Sequence, residues 1–341
     1  MNYKVKKALF YIFIFGVGFM FIIPLMYLTT TSLTSRVEIN DFPRPMFPSL
    51  SHETQWEWDE ANNRYTFYWE NNSEEYIPLN YGDPEYLSEY LDAYLNVSIT
   101  PDELEDKIES ARLDGEIVDV RLSKSLFRNY GKFFDVFSGA EDAFVNSVKA
   151  AVYTIILSLS IGGSLGFAIA RTNIKGKDAI GIGALIVRMF PTIAISVSAA
   201  VLLINFGLFD SMFGLAIVYS IPNIGLTAWI TRGIFMGVNK ELEEASLVFG
   251  ASKLQTFYKI TLPLVLPAFA ASSMYAFITA WNDTGVALLL TNKNETLSLL
   301  LYSSIGGAGS VQYAAAGSLL LIIPALVFTF FLRKYINQLW G

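Results

Sequence analysis

Residues 8–28 form an apolar run without one charged side chain, and five further runs, almost free of charge, follow at 150–170, 179–205, 212–232, 262–281 and 314–332. No other feature constrains the chain so tightly. Roughly 20 apolar residues in a helix cross a bilayer core of about 30 Å. Inside that core each backbone N–H and C=O must find its partner within the protein, which helices achieve segment by segment. The runs therefore predict an all-α polytopic membrane protein with six transmembrane helices. Lys4, Lys6 and Lys7 precede the first run, a pattern shared with cleaved signal peptides. The run is long for that role, and residues 29–35 contain no Ala-x-Ala site, so a retained first helix is expected.

Between the first two runs the composition changes. Residues 31–145 hold 24 of the 31 acidic residues and only 9 of the 24 basic ones. Alternating aromatic residues at 54–58 and 64–69, separated by 59–63, predict a β-hairpin. Asp83-Pro84 opens a helix expected to run to about Asn96. Thr100-Pro101-Asp102-Glu103 is a capping box that starts another, which Gly115 should stop. A strand is expected at 116–122. We thus expect three segments: 1–35 as a cytoplasmic tip and first helix, 36–140 as a small acidic α+β domain inserted between helices 1 and 2, and 141–341 as a core of five helices. Outside the insert the basic residues gather at 1–7, 171–177, 232–259 and 333–341. By the positive-inside rule both termini face the cytoplasm and residues 36–140 lie outside.

One polar stretch, 239–263, interrupts the core. Asn239 can cap a short helix, Glu241, Glu243 and Glu244 suit its positive end, and Gly250 supplies a left-handed turn. Ser252 with Gln255 makes a second capping box, and Pro263 should bend the chain. Leu242, Ala245 and Phe249 fall on one apolar stripe. The expected product is an elbow of two short helices.

Glu244-Ala245-Ser246, Gly250 and Ile260-x-Leu262-Pro263 resemble the EAA loop of ABC importer permeases. Phe127–Tyr130, Phe144–Ser147 and the extension through Ala280-Trp281-Asn282 resemble the MalG-like carbohydrate-uptake branch. The resemblance implies a type I importer permease in the cell membrane, moving a sugar or oligosaccharide by alternating access. It implies as partners two ABC ATPase subunits, a second non-identical MalF-like permease and an extracytoplasmic solute-binding protein. It also makes the elbow a coupling helix, with contacts from Glu241, Leu242, Glu244, Ala245, Ser246, Phe249, Gly250, Ala251, Leu262 and Pro263. Two features depart from that pattern: the insert is larger, and the chain ends in Ile336-Asn-Gln-Leu-Trp-Gly341 without a long Gly-rich tail. Another solute, such as a polyol or glycerol phosphate ester, fits the same fold. A membrane receptor with an external ligand-binding domain is the alternative of a different class.

No enzyme signature accompanies these features. The chain lacks cysteine and has a single histidine, His52, which rules out thiolate and histidine metal clusters and Ser-His triads; the surrounding polarity places His52 on the surface. There is no GxxxxGK[ST] loop for a triphosphate, so no cofactor is expected and ATP hydrolysis falls to partner subunits. A basic face for nucleic acid is missing. Polar groups at membrane depth are the pathway candidates: Arg188, Asn205, Asn223, Thr227, Asn282 and Asp283, with Tyr219 and Trp281 as aromatic faces. Arg188 either snorkels to the interface or lines the pathway. Each aromatic taken alone is more at home in packing or in the interfacial belt than on the pathway.

Overall fold

The computed structural model describes residues 3–59, 64–71, 73–80, 83–114, 117–305 and 311–336. The expected hairpin turn at 60–63, the helix stop at Gly115 and the terminal residues 337–341 lie outside them. Packing divides the chain into two compact units, Met1–Ser138 with Ser304–Leu320, and Gly139–Ser303 with Leu321–Gly341.

The first unit opens with α1 (Tyr3–Leu33), whose apolar residues are exposed along nearly its whole length. After α2 (Arg36–Asn40), strands β1 (Ser51–Asp59), β2 (Arg64–Glu70) and β3 (Tyr76–Asn80) follow, then α3 (Pro84–Leu95), α4 (Pro101–Asp114), β4 (Ile117–Ser123) and α5 (Arg128–Val136). The strands form one antiparallel sheet in the order β3-β2-β1-β4, with Thr54 opposite Trp69 and Asp59 opposite Arg64. Alternation turns Trp56 and Phe67 inward, and α3 lays Leu87, Leu91 and Leu95 against them at helical spacing. Asp83 caps α3 by accepting the Tyr86 N–H at 2.8 Å, and Asn96 ends it in the left-handed region at φ 58°.

His52 corrects the surface assignment. It shares the inward face of β1 with Thr54 and Trp56, is 3% exposed, and its Nε2 lies 3.0 Å from Leu95 O. Burial, its largest influence, lowers its pKa to about 4. Nearby, Glu38 and Lys124 form a buried ion pair, and Ser49 donates to Glu38 from both its N–H (2.8 Å) and Oγ (2.5 Å). Desolvation works to raise the Glu38 carboxyl, yet Lys124 and these hydrogen bonds outweigh it and hold it near about 2.

The second unit is helical. α6 (Ala140–Leu157) passes through a π-turn (Ser158–Gly162) into α7 (Gly163–Arg171). Then come α8 (Lys177–Val187), α9 (Thr192–Asn205), α10 (Met212–Gly237), α11 (Lys240–Val248), α12 (Lys253–Thr256), a second π-turn (Phe257–Thr261), α13 (Leu262–Asn282), α14 (Gly285–Leu290) and α15 (Leu297–Ile305) up to Ser303; of α16 (Val311–Ile336), the residues from Leu321 onward belong to this unit and those before it to the first. Among the described residues five helices are long and apolar enough to cross a membrane, or six if one bent pair counts as a span. That pair, α8 and α9, covers the third apolar run. Its halves meet at 90°. Pro191 removes an N–H and disfavours helix at the residue before it, and the carbonyls of Leu185, Ile186 and Val187 turn to short-range N–H partners at Arg188, Met189 and Phe190.

α10 is the hub of this unit. Its neighbour α6–α7 approaches so closely that a Cβ on Gly162 would lie 2.6 Å from Ile224 O and 2.7 Å from Thr227 Cβ. On Gly166 it would lie 2.7 Å from Ala228 O and strike Thr231 Oγ1. Glycine is what this contact requires.

Candidate functional site

The elbow is assembled from local backbone chemistry. Asn239 Oδ1 accepts the Glu241 N–H at 3.0 Å and starts α11. The helix ends in a Schellman turn: Gly250 N–H donates to Leu247 O and Ala251 N–H to Ser246 O, both at 3.0 Å. Gly250 sits at φ +88°, which an L side chain resists. Ser252 and Gln255 exchange N–H bonds at 3.3 and 2.9 Å to start α12. Across the turn Ser246 Oγ lies 2.5 Å from Thr256 Oγ1, fixing one short helix to the other.

One face of α11 is clamped to the bundle. Glu243 accepts from Arg171 Nη2 at 2.7 Å and Nε at 3.1 Å, and from Thr261 Oγ1 at 3.2 Å. Arg171 also donates to Phe235 O (2.6 Å) and Val238 O (3.3 Å), satisfying carbonyls at the end of α10. Both side chains are largely buried, 10% and 18% exposed. Beneath them Phe167 packs edge-on against Phe235 and Phe257, with Leu262 in the same cluster.

The opposite face is bare. Leu242 is 49% exposed and Phe249 90%, with Glu241, Glu244 and Ala245 exposed beside them. α11 is thus fixed from one side and presents an open apolar stripe on the other. Pro263 is exposed too, and at the place where a bend is expected the helix continues unbroken. The chain runs through the π-turn into α13, and the wider turn accommodates the ring that an α-turn would press against the carbonyl four residues back. The elbow's second arm is thus continuous with a candidate span from Lys253 to Asn282.

The expected pathway residues separate into two groups. Tyr219, Asn223, Thr227 and Trp281 are buried within the bundle. Tyr219 donates to Asp283 Oδ1 (3.1 Å), Asn223 to Tyr219 O (2.9 Å) and Trp281 Nε1 to Leu321 O (2.9 Å). Thr227 fills the space over Gly162. Burial demands such partners, and the bundle supplies them. Asp283 is half-buried and organises a junction, accepting the Val286 N–H at 2.8 Å while its carbonyl accepts from Ser298 Oγ at 2.8 Å. Arg188, Asn205 and Asn282 are exposed. Arg188 stands at the α8–α9 break, its guanidinium 5.5 Å from the Tyr275 ring centroid.

The Arg171–Glu243 clamp escaped the sequence reading. Arg171 reads as a turn marker at the end of an apolar run, and Glu243 is one of three neighbouring glutamates, so spacing alone does not select it. Its one signal is position: Glu243 lies on the face opposite the stripe.

A family model described as "Binding-protein-dependent transport system inner membrane component" matches residues 160–340. The maltodextrin transport system permease protein MdxG of Bacillus subtilis is 31% identical over 193 residues, 55% of this chain and 69% of that protein. The trehalose transport system permease protein SugB of Mycobacterium tuberculosis is 29% identical over 231 residues, 65% of this chain and 82% of its own length. The fold is similar to that of a bacterial ABC transporter involved in the import of the acidic polysaccharide alginate, with a TM-score of 0.62 at 16% identity over 98% of this chain and 99% of that one. The fold is therefore that of a type I importer permease, and the chain belongs to the family of binding-protein-dependent transport system inner membrane components.

Proposed function

We propose that this chain is a transmembrane permease subunit of an ATP-driven importer that carries a sugar or oligosaccharide delivered by an extracytoplasmic binding protein. The elbow carries the reading: one face of α11 is locked to the bundle by Arg171–Glu243, and the other offers Leu242, Ala245 and Phe249 to a partner. A motor that grips the bare face moves the clamped one, and the continuous helix from Lys253 to Asn282 transmits that displacement into the membrane. The partners are two ATPase subunits on the elbow and a second, MalF-like permease beside the bundle, with Arg188, Asn205, Asn282 and Asp283 toward the solute path. Maltodextrin and trehalose permeases among the relatives support a carbohydrate cargo.

In this arrangement six spans cross the membrane, with α8–α9 as one broken span. Both termini and the elbow are cytoplasmic, and residues 36–140 face outward as a docking surface for the binding protein or the partner permease. The test is ATP hydrolysis by the co-purified complex in liposomes, with and without a sugar-loaded binding protein. Stimulation that disappears on replacing Gly250 with proline supports the reading. Unchanged stimulation in that variant overturns it.

A further inference from the structure

Residues 42–50 belong to no element and expose Phe42, Met46, Phe47 and Leu50. Of these, the stretch from Arg44 to Phe47 lies against α1. Phe19, Ile23, Met26, Tyr27 and Thr30 on α1 and the stretch from Arg44 to Phe47 enclose a groove of about 500 Å³. Its walls are apolar and its mouth is not. Arg44 donates to Tyr27 Oη at 2.7 Å and Thr31 Oγ1 at 2.9 Å, with its guanidinium 5.1 Å from the Tyr27 ring centroid. Among the described residues Arg44 forms no salt bridge, which leaves guanidinium donors for a ligand.

Depth identifies the occupant. The polar residues Thr29–Thr31 that follow the apolar run mark the interface, where Arg and Tyr anchor a span. From Thr31 to Phe19 the helix descends about 18 Å at roughly 1.5 Å per residue, against a leaflet of roughly 15 Å of hydrocarbon. A groove one leaflet deep, apolar along its length and cationic at the headgroup level, has the shape and charge of a phospholipid. The loop chemistry agrees: Pro43, Pro45 and Pro48 remove backbone N–H groups that would be costly near hydrocarbon, and the Phe42 N–H is bonded to Asp41 Oδ1 at 2.9 Å. A helix from a partner protein would cover the apolar walls and leave Arg44 uncompensated.

We infer that residues 42–47 and α1 form a phospholipid site, in which Arg44 binds the lipid phosphate and one acyl chain lies along Phe19, Ile23 and Met26. The inference rests on α1 crossing the bilayer and is independent of cargo and of the elbow. Native mass spectrometry of the full chain, delipidated in detergent and titrated with dioleoyl phosphatidylglycerol or with dioleoylglycerol, tests it. Wild type should retain one phosphatidylglycerol and discriminate against the phosphate-free lipid. Arg44→Gln should weaken retention about tenfold, the lower end expected for a hydrogen bond to a charged group, and Arg44→Lys should restore part of it. Phe47→Ser, on an exposed side chain that folding does not need, should weaken both lipids alike. Equal retention by wild type and Arg44→Gln overturns the inference. So does a photo-crosslinker at Met46 that captures a protein segment instead of lipid in intact membranes.

Discussion

At the scale of single residues, two buried charge clusters perform different tasks. Arg171 and Glu243 are each other's principal partner, so deleting one leaves a partly buried charge unpaired. Arg171→Met or Glu243→Leu should each cost about 2–3 kcal/mol, discounted from the loss expected of a fully buried pair for the exposure that remains. The double variant should cost less than the sum, because no orphan charge survives. Thermal unfolding of the four forms in detergent gives the cycle, and strict additivity would show that the clamp is not a pair. The cluster around His52 predicts a pH response. In the unfolded chain His52 takes up a proton at the ordinary imidazole value of 6.5, but when buried only at about 4. The unfolded state therefore binds more protons between those values, and the stability of this region falls as pH drops from 6.5 through 4. Glu38, held at about 2 against the ordinary carboxylate value of 4.5, adds a second loss below pH 4.5. Hydrogen exchange in β1 and α3 of the intact protein should accelerate between pH 6.5 and 4, and His52→Gln should remove that first limb alone.

At the scale of elements, much was written in local chemistry and the remainder was not. Caps at Asp83, Thr100, Asn239 and Ser252 were legible because each needs only residues within a turn of itself. The inward place of His52 was legible as well, through its alternation with Thr54 and Trp56, but polar neighbours obscured it. Pro191 announced a missing hydrogen bond and not the 90° angle, which depends on how α8 and α9 pack. The burial of Tyr219, Asn223 and Trp281 was beyond reach for a related reason: all-apolar helices carry no periodicity to say which face turns inward. The small residues at 162–166 did signal close packing, but their partners on α10 emerge only in three dimensions. That seam gives an element-scale prediction. Gly166→Leu would force its side chain into the Ala228 carbonyl and Thr231, so α7 and α10 must separate. Melting of the purified protein should drop sharply, by several degrees or more, whereas Gly183→Leu, where a Cβ meets nothing within 4 Å, should leave it nearly unchanged. Equal melting of both variants would mean that the seam does not hold the bundle.

At the scale of the whole molecule, the question is what converts events outside the bundle into motion within it. A partner that contacts only Leu242, Ala245 and Phe249 gains hydrophobic contact, and that alone transmits nothing. Transmission needs the second face: the Arg171–Glu243 clamp ties α11 to the ends of α7 and α10, and the Ser246–Thr256 bond ties it to the helix that continues into α13. Under the proposed function, grip and transmission fall to different residues of one short helix, so they should fail separately. Leu242→Asp with Phe249→Asp should abolish co-purification of ATPase subunits while leaving the chain inserted and its melting unchanged, since neither side chain supports the fold. Arg171→Met with Glu243→Leu should retain those subunits and their basal hydrolysis, yet lose at least tenfold of the stimulation by a sugar-loaded binding protein. Both variants are read in the same liposome assay, with subunit stoichiometry measured alongside. If the clamp variant stimulated like wild type, α11 would be a passive tether and the displacement would have to pass through another contact.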